Sequence, residues 1–75
     1  MTYQDYKKKV AEKIGISLYA LEKGMRSGKY HLVCNAFDFK MLKLEASYSK
    51  DPEKYLSDCV AESVQFDAEH YDLYA

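Results

Sequence analysis

Glycine and proline are scarce in this sequence: three glycines and one proline occur among 75 residues, and tryptophan is absent. So few turn-forming residues favour helices over an all-β fold, which needs many tight turns. No apolar run approaches the ~18 residues that a membrane-spanning helix needs. With 48% hydrophobic and 31% charged residues, the composition lies outside the disordered class. The sequence therefore predicts one mainly α-helical domain over residues 1–75, with a single core.

Cysteine is also scarce, and the N-terminus lacks an apolar stretch. Residues 1–9 are polar and charged where a secretory signal would have its hydrophobic segment, so we expect a cytoplasmic protein. Cys34 and Cys59 could form a single disulfide, but one pair at this spacing does not identify a disulfide-rich fold. In a reducing compartment, two free and buried thiols are the better interpretation.

Charge is unevenly distributed, although the net charge is only −1. Residues 1–31 contain seven basic and three acidic residues, a balance of +4, whereas residues 32–75 contain four lysines and nine acids, a balance of −5. We therefore distinguish a basic half, residues 1–29, from an acidic helical half, residues 35–75. Such a division is typical of a chain that binds a partner of one sign, and a chance split is the alternative.

Capping residues divide the chain into four predicted helices. Each predicted start is a residue whose side-chain oxygen can accept a hydrogen bond from the first helical turn, and glycine ends the first two helices. Proline suits the first position of the last helix, because its missing N–H costs nothing there. The predicted starts are Thr2, Ser17, Asn35 and Asp51 (followed by Pro52), and the predicted glycine ends are Gly15 and Gly28.

Apolar residues recur at helical spacing in all four segments. Four of the eight tyrosines fall on these stripes, and we expect tyrosines to serve the core, with Tyr71 and Tyr74 near the end of the chain as exceptions. The residues after Val64 either extend the last helix or hang free. The stripes consist of Tyr3, Tyr6, Val10, Ala11 and Ile14; Leu18, Leu21 and Met25; Phe37, Met41, Leu44 and Tyr48; and Tyr55, Leu56, Cys59, Val60, Ser63 and Val64.

Residues 30–45 allow a second interpretation. Residues 30–34 are predicted as an extended link or a short strand, and Phe37, Phe39 and Met41 alternate as they would in a β-hairpin. A hairpin needs a turn signal between its strands, and Asn35-Ala36 is a poor one. We therefore predict a small four-helix domain, with a helix after Asn35 and a strand near 30–34 left open.

Residues 10–29 resemble a helix-turn-helix of the excisionase and MerR-type proteins and of the Cro-like phage repressors. A tight turn between two steeply crossing helices requires a left-handed glycine and a small residue at the closest approach. The matching features are Ala11 between the helices, Gly15 in the turn, Ile16-Ser17 at the start of the second helix, Leu21 and Met25 as packing residues, and the ending Arg26-Ser-Gly-Lys29. The resemblance implies a small DNA-binding regulator or architectural factor of phage or bacterial type.

The resemblance also implies which residues contact DNA. A recognition helix presents its first residues and one face to the major groove, where cations reach guanine edges or phosphates. Lysines of the preceding helix would add salt-dependent phosphate contacts. The predicted DNA-binding residues are Ser17, Tyr19, Lys23, Arg26 and Lys29, together with Lys7, Lys8 and Lys13.

The sequence departs from the families' pattern at four positions of the second helix. Leu18 and Tyr19 are apolar where a groove-facing residue is expected, and Glu22 has the wrong sign for a phosphate. Gly24 stands where an apolar packing residue is usual, and no clear wing hairpin follows the motif. Two amphipathic helices joined by a glycine turn would produce the same pattern without binding DNA.

A second hypothesis is a phage- or bacterium-encoded inhibitor or adaptor that binds a host protein. Tyrosine-rich surfaces favour recognition, and the end of the chain mixes acids with aromatic side chains. The predicted partner-binding residues are Phe66, Tyr71, Leu73 and Tyr74. Both hypotheses are compatible with a homodimer. A helical dimer with a purely structural role is a third hypothesis.

Catalytic and metal-binding residues are not predicted. His31, Cys34, Cys59 and His70 lack the tight pairs of ligands that compact zinc modules use. The acidic pairs Asp51/Glu53 and Asp67/Glu69 are interpreted as solvated surface carboxylates. Because there is no glycine-rich phosphate loop either, we expect neither enzymatic activity nor a cofactor.

Overall fold

Four α-helices account for most of residues 1–74, the part of the chain that the computed structural model describes. They are α1 (Tyr3–Ile14), α2 (Leu18–Ser27), α3 (Ala36–Ala46) and α4 (Pro52–Tyr74). Within these 74 residues there is no strand, so residues 30–34 form an irregular link rather than a strand. The prediction of a small four-helix domain is confirmed, including the helix after Asn35.

Local capping chemistry explains where the helices begin and end. Thr2 and Asn35 accept hydrogen bonds from the third residue of their helices and form capping boxes with Asp5 and Asp38. The Lys54 N–H donates to Asp51 Oδ1 at 3.2 Å, which caps α4 just before Pro52. Ser17 caps α2 in the same way, so all four predicted helix starts are observed. Gly15 and Gly28 end α1 and α2 as predicted.

The four helices pack in the spatial order α2, α1, α4, α3. The main contacts join α1 to α4, α1 to α2, and α3 to α4. Tyr6, near the start of α1, bonds to Asp67, late in α4, whereas Lys13, at the end of α1, shares a groove with Ser57, early in α4. Helices α1 and α4 are therefore antiparallel, and the basic α2 lies against α1 rather than against the acidic α4.

One core holds the helices together. Fully buried apolar side chains come from all four helices, and half-buried residues of the link close one side. Tyr3, Tyr6 and Phe39 form an aromatic cluster with ring centroids 5.6–5.9 Å apart. The buried residues are Tyr6, Val10, Ala11, Leu21, Phe39, Val60 and Val64. The predicted stripes of α1, α2 and most of α4 thus face the core.

The predicted stripe of α3 does not face the core. Phe37, Met41, Leu44 and Tyr48 share one face, but they are 66%, 37%, 49% and 83% exposed. Phe39, Leu42 and Ala46 pack inward instead. The expectation that Tyr48 serves the core is wrong, because α3 is apolar on two faces and periodicity does not distinguish which one is covered. Tyr55, which is 39% exposed, departs from the same expectation.

Asp67 is the second departure from the sequence-based expectations. The sequence indicates a solvated surface carboxylate, but Asp67 is only 2% exposed. Its Oδ2 accepts a short hydrogen bond from the Tyr6 hydroxyl, and its Oδ1 accepts one of 2.8 Å from the Val33 N–H. This carboxylate therefore joins α4, α1 and the link between α2 and α3.

The end of the chain continues α4, which reaches Tyr74 rather than ending near Val64. This 23-residue helix is too polar to span a bilayer, and the other helices of residues 1–74 are not long and apolar enough to do so either.

Cys34 and Cys59 are free thiols, as expected, although both are half-buried rather than fully buried.

Candidate nucleic-acid interface

A three-residue turn separates α1 from α2. Gly15 ends α1 in the left-handed conformation, with φ 80° and ψ 29°, which glycine adopts without steric cost. The N–H groups of Gly15 and Ile16 both donate to the Ala11 carbonyl, at 2.9 and 3.0 Å. Ser17 then caps α2 by accepting the Ala20 N–H at 3.0 Å. The second helix is thus a separate element, as a helix-turn-helix requires.

The inner face of α2 consists of Leu21 and Gly24, which are buried, and of Leu18 and Met25, which are half-buried. A Cβ atom at Gly24 would overlap the Tyr30 ring, which packs directly on the α2 backbone. Tyr30 thus occupies the space that a larger side chain at position 24 would need. The tight contact of Tyr30 therefore explains why position 24 is glycine.

The outer face of α2 presents a polar and basic surface. Tyr19, Lys23 and Arg26 are exposed and lie at spacings of four and three residues, which places them on one side of the helix. Ser17 is exposed at its N-terminus, and its hydroxyl is engaged in the cap. Lys29 follows the helix directly, with its Nζ atom 5.4 Å from the centroid of the Tyr30 ring. Three cations therefore lie on α2 or at its C-terminal end.

An ion pair neutralises the acidic residue of α2. Lys7 Nζ lies 3.2 Å from Glu22 Oε1, and both side chains are largely covered. The hydrogen bond from Lys7 lowers the pKa of the Glu22 carboxyl, and Arg26 contributes a further favourable charge interaction. Lys7 is therefore engaged within the protein, and Glu22 contributes little net negative charge to the outer face.

The remaining lysines of α1 lie on different sides of that helix. Lys9 and Lys13 line a groove of about 510 Å³ between α1 and α4, with Val60 and Val64 at its floor. Lys7, which faces α2, is about 200° around the helix from Lys9. Lys8 is exposed. The structure brings Lys23, Arg26 and Lys29 into one region and places Lys13 on the opposite flank of α1.

The predicted protein-binding residues lie along the last turns of α4. Phe66 and Leu73 are 44% and 78% exposed, and Tyr71 is half-buried. The Phe66 ring stacks on His70, with centroids 4.1 Å apart. The Tyr74 side chain lies outside the described residues. Phe66, His70 and Leu73 therefore share one face, which acidic residues of the same helix flank.

Residues 1–74 contain no group of three or more His, Cys, Asp or Glu side chains that could hold a metal ion. Burial raises the pKa of the Cys59 thiol, which makes it less reactive as a thiolate. Cys34 Sγ lies 3.7 Å from Ser63 Oγ inside the domain. Among the described residues, the basic face of α2 is the surface with the clearest charge pattern.

Comparisons of the chain with protein-family models, with curated proteins and with solved structures find no match.

Proposed function

We propose that this protein binds double-stranded DNA through the outer face of α2. The observation that carries the proposal is that Lys23 and Arg26 face outward on a separate helix whose one acid, Glu22, is neutralised by Lys7. An exposed helix of this width fits the major groove, and its positive charge matches the phosphate backbone. The resemblance of residues 10–29 to helix-turn-helix proteins supports the same assignment.

Different residues take different roles in this proposal. Tyr19 lies in the first turn of α2, the part of a recognition helix that approaches base edges, and its ring suits contact with a thymine methyl group. Lys23 and Arg26, one and two turns further, reach a guanine edge or a phosphate. Lys29 and Lys8 add phosphate contacts, which position the protein without reading sequence.

The packing order supports DNA binding despite a net charge of −1. Helix α2 packs mainly on α1, whereas the acids of residues 35–75 lie on α3 and α4 or in the loop between them. Repulsion between those acids and DNA is screened over a distance of about 8 Å at physiological salt. The basic face of α2 thus meets DNA with little opposition from the acidic half.

The test compares DNA affinity in three proteins by fluorescence anisotropy with bulk duplex DNA. We expect Lys23→Ala/Arg26→Ala to weaken binding at least about tenfold, since it removes two contacts to phosphate or base. The matched control is Lys50→Ala/Lys54→Ala, which removes the same charge from exposed positions at the start of α4. It should change the affinity far less.

Two results would contradict the proposal. If wild type fails to bind duplex DNA at micromolar concentrations in low salt, DNA is not the ligand. If the two double variants lose affinity equally, binding is a general charge effect and α2 is not the contact.

The second candidate function is binding of a protein partner through the end of α4. The exposed Phe66 and Leu73 amid acidic residues favour it, because a monomer gains nothing from large apolar side chains in water. A Phe66→Ala/Leu73→Ala variant separates the two candidates, since it should leave DNA affinity unchanged. Truncation after Val64 is unsuitable, because it would also remove the buried Asp67.

A further inference from the structure

A row of large apolar side chains is exposed along the outer face of α3 and just beyond its end. Phe37, Met41 and Leu44 on α3 and Tyr48, two residues after its end, are between 37% and 83% exposed. Together they expose apolar surface on the order of 400–500 Å², which is near the upper limit for a monomeric protein. We refer to these four residues as the α3 stripe.

The spacing of the α3 stripe is that of a helix–helix seam. Its residues are separated by four, three and four positions, the alternation of d and a positions in a heptad repeat. Ser47 keeps helical dihedral angles after the end of α3, and the Tyr48 N–H donates to the Glu45 carbonyl at 3.1 Å. Tyr48 therefore continues the line that Phe37 begins.

The charges beside the stripe complement those of a second copy. In this register Lys40 occupies a g position, whereas Asp38 and Glu45 occupy e positions, and all three are exposed. In a parallel pair, each g residue faces the e residue five positions later in the partner helix, so Lys40 meets Glu45 of the other copy twice. An antiparallel pair would instead bring Asp38 opposite Glu45, which places like charges together.

We propose that the α3 stripe is the interface of a parallel, two-fold symmetric homodimer, with Lys40 of each copy paired to Glu45 of the other. Pairing two stripes with the stems of their flanking residues buries roughly 1,000–1,200 Å² in total, at the lower end of specific interfaces. The dimer is therefore weak, with a Kd on the order of 10–100 µM. The inference does not depend on DNA binding, because α2 and α3 are different surfaces.

Sedimentation equilibrium from roughly 1 µM to 1 mM protein covers the range in which such a dimer forms. Leu44→Glu, at the centre of the stripe, should abolish the dimer, and circular dichroism should show an intact fold because Leu44 is half exposed. Lys40→Glu should raise the Kd roughly tenfold, since it replaces two attractions by two repulsions. Lys43→Glu, an equal change of charge at an exposed position off the seam, is the matched control.

The charge variants also determine the direction of pairing. In the parallel arrangement Glu45→Lys weakens the dimer, and Lys40→Glu/Glu45→Lys restores it. A wild type that stays monomeric at all concentrations overturns the proposal, as does a dimer that Leu44→Glu leaves intact. A dimer that Glu45→Lys strengthens is antiparallel and overturns the proposed arrangement.

Discussion

Among single residues, Asp67 is unusual because a charged side chain is buried and joins three parts of the fold. Burial raises the pKa of its carboxyl group, and the hydrogen bonds from Tyr6 and Val33 offset part of that rise. Burial, followed by the hydrogen bond to Asp67, also raises the pKa of the Tyr6 phenol, so the tyrosine remains the donor. A buried carboxylate that accepts two hydrogen bonds orients the elements that supply them.

The raised pKa of Asp67 predicts a specific dependence of stability on pH. A carboxyl whose pKa is higher in the folded state favours folding fully below its unfolded pKa of about 4, and this contribution is lost as the pH rises through the folded pKa. Asp67→Asn keeps an acceptor for Val33 and a donor for Tyr6 but does not titrate. The free energy of unfolding of wild type should therefore fall relative to that of Asp67→Asn as the pH rises from about 4 through the raised pKa of the folded state.

Urea denaturation at several pH values measures this difference. The control is Glu69→Gln, which removes an exposed carboxylate two residues away. The stability of this variant should fall with rising pH relative to that of Asp67→Asn, as that of wild type does. Equal pH profiles for wild type and Asp67→Asn would show that Asp67 titrates alike in the folded and unfolded chains.

At the scale of elements, α2 is positioned by a close backbone contact at Gly24 in addition to the buried Leu21 side chain. Gly24 lets the Tyr30 ring lie on the helix, and its carbonyl accepts the N–H groups of Lys29 at 2.7 Å and Tyr30 at 3.1 Å. Gly28 makes this return possible with φ 83°. The link after α2 therefore folds back and holds the helix against α1, which leaves its opposite face in solvent.

This packing predicts whether a Gly24→Ala substitution raises or lowers the free energy of unfolding. In an open helix the change would stabilise by roughly 0.5–1 kcal/mol, but here the new methyl group overlaps the Tyr30 ring. We expect a net loss of about 1–3 kcal/mol in the free energy of unfolding. A double-mutant cycle with Tyr30→Ala checks the cause, because Gly24→Ala should cost nothing once the ring is removed.

At the scale of the whole molecule, packing converts a charge asymmetry along the chain into a separation in space. The molecule measures 38 × 19 × 18 Å, and its long dimension is close to that of α4. Since α2 packs mainly on α1, and α3 on α4, the basic and acidic halves occupy different sides. The protein therefore has one face suited to an anion despite its acidic pI of about 6.1.

The salt dependence of DNA binding follows from this separation. If Lys8, Lys23, Arg26 and Lys29 each meet one phosphate, the affinity should fall roughly a hundredfold between about 50 and 200 mM salt. Lys23→Ala/Arg26→Ala should halve the slope of the logarithm of affinity against that of salt concentration. A slope near zero for wild type would mean that this basic face does not contact the DNA backbone.

Much of the secondary structure was predictable because its signals are local. Capping by Thr2, Ser17, Asn35 and Asp51 depends on hydrogen bonds within a few residues, and a glycine end depends on one backbone conformation. The exposed face of α2 was predictable for a similar reason, since Leu21 and Met25 mark the opposite side. The sequence itself therefore determined the four helices, their starts, the glycine ends of α1 and α2, and the cations that α2 presents.

The assignment of inner and outer faces depended on contacts between distant residues. Both faces of α3 are apolar, so the packing of Phe39 against Tyr3 and Tyr6 decided which one is buried. Asp67 follows Val60 and Val64 at helical spacing, but the Tyr6 hydroxyl and the Val33 N–H that make its burial possible come from distant parts of the chain. Only the tertiary structure decided these points, because a residue's burial depends on which elements cover it, and that choice minimises the free energy of the whole chain rather than of one segment.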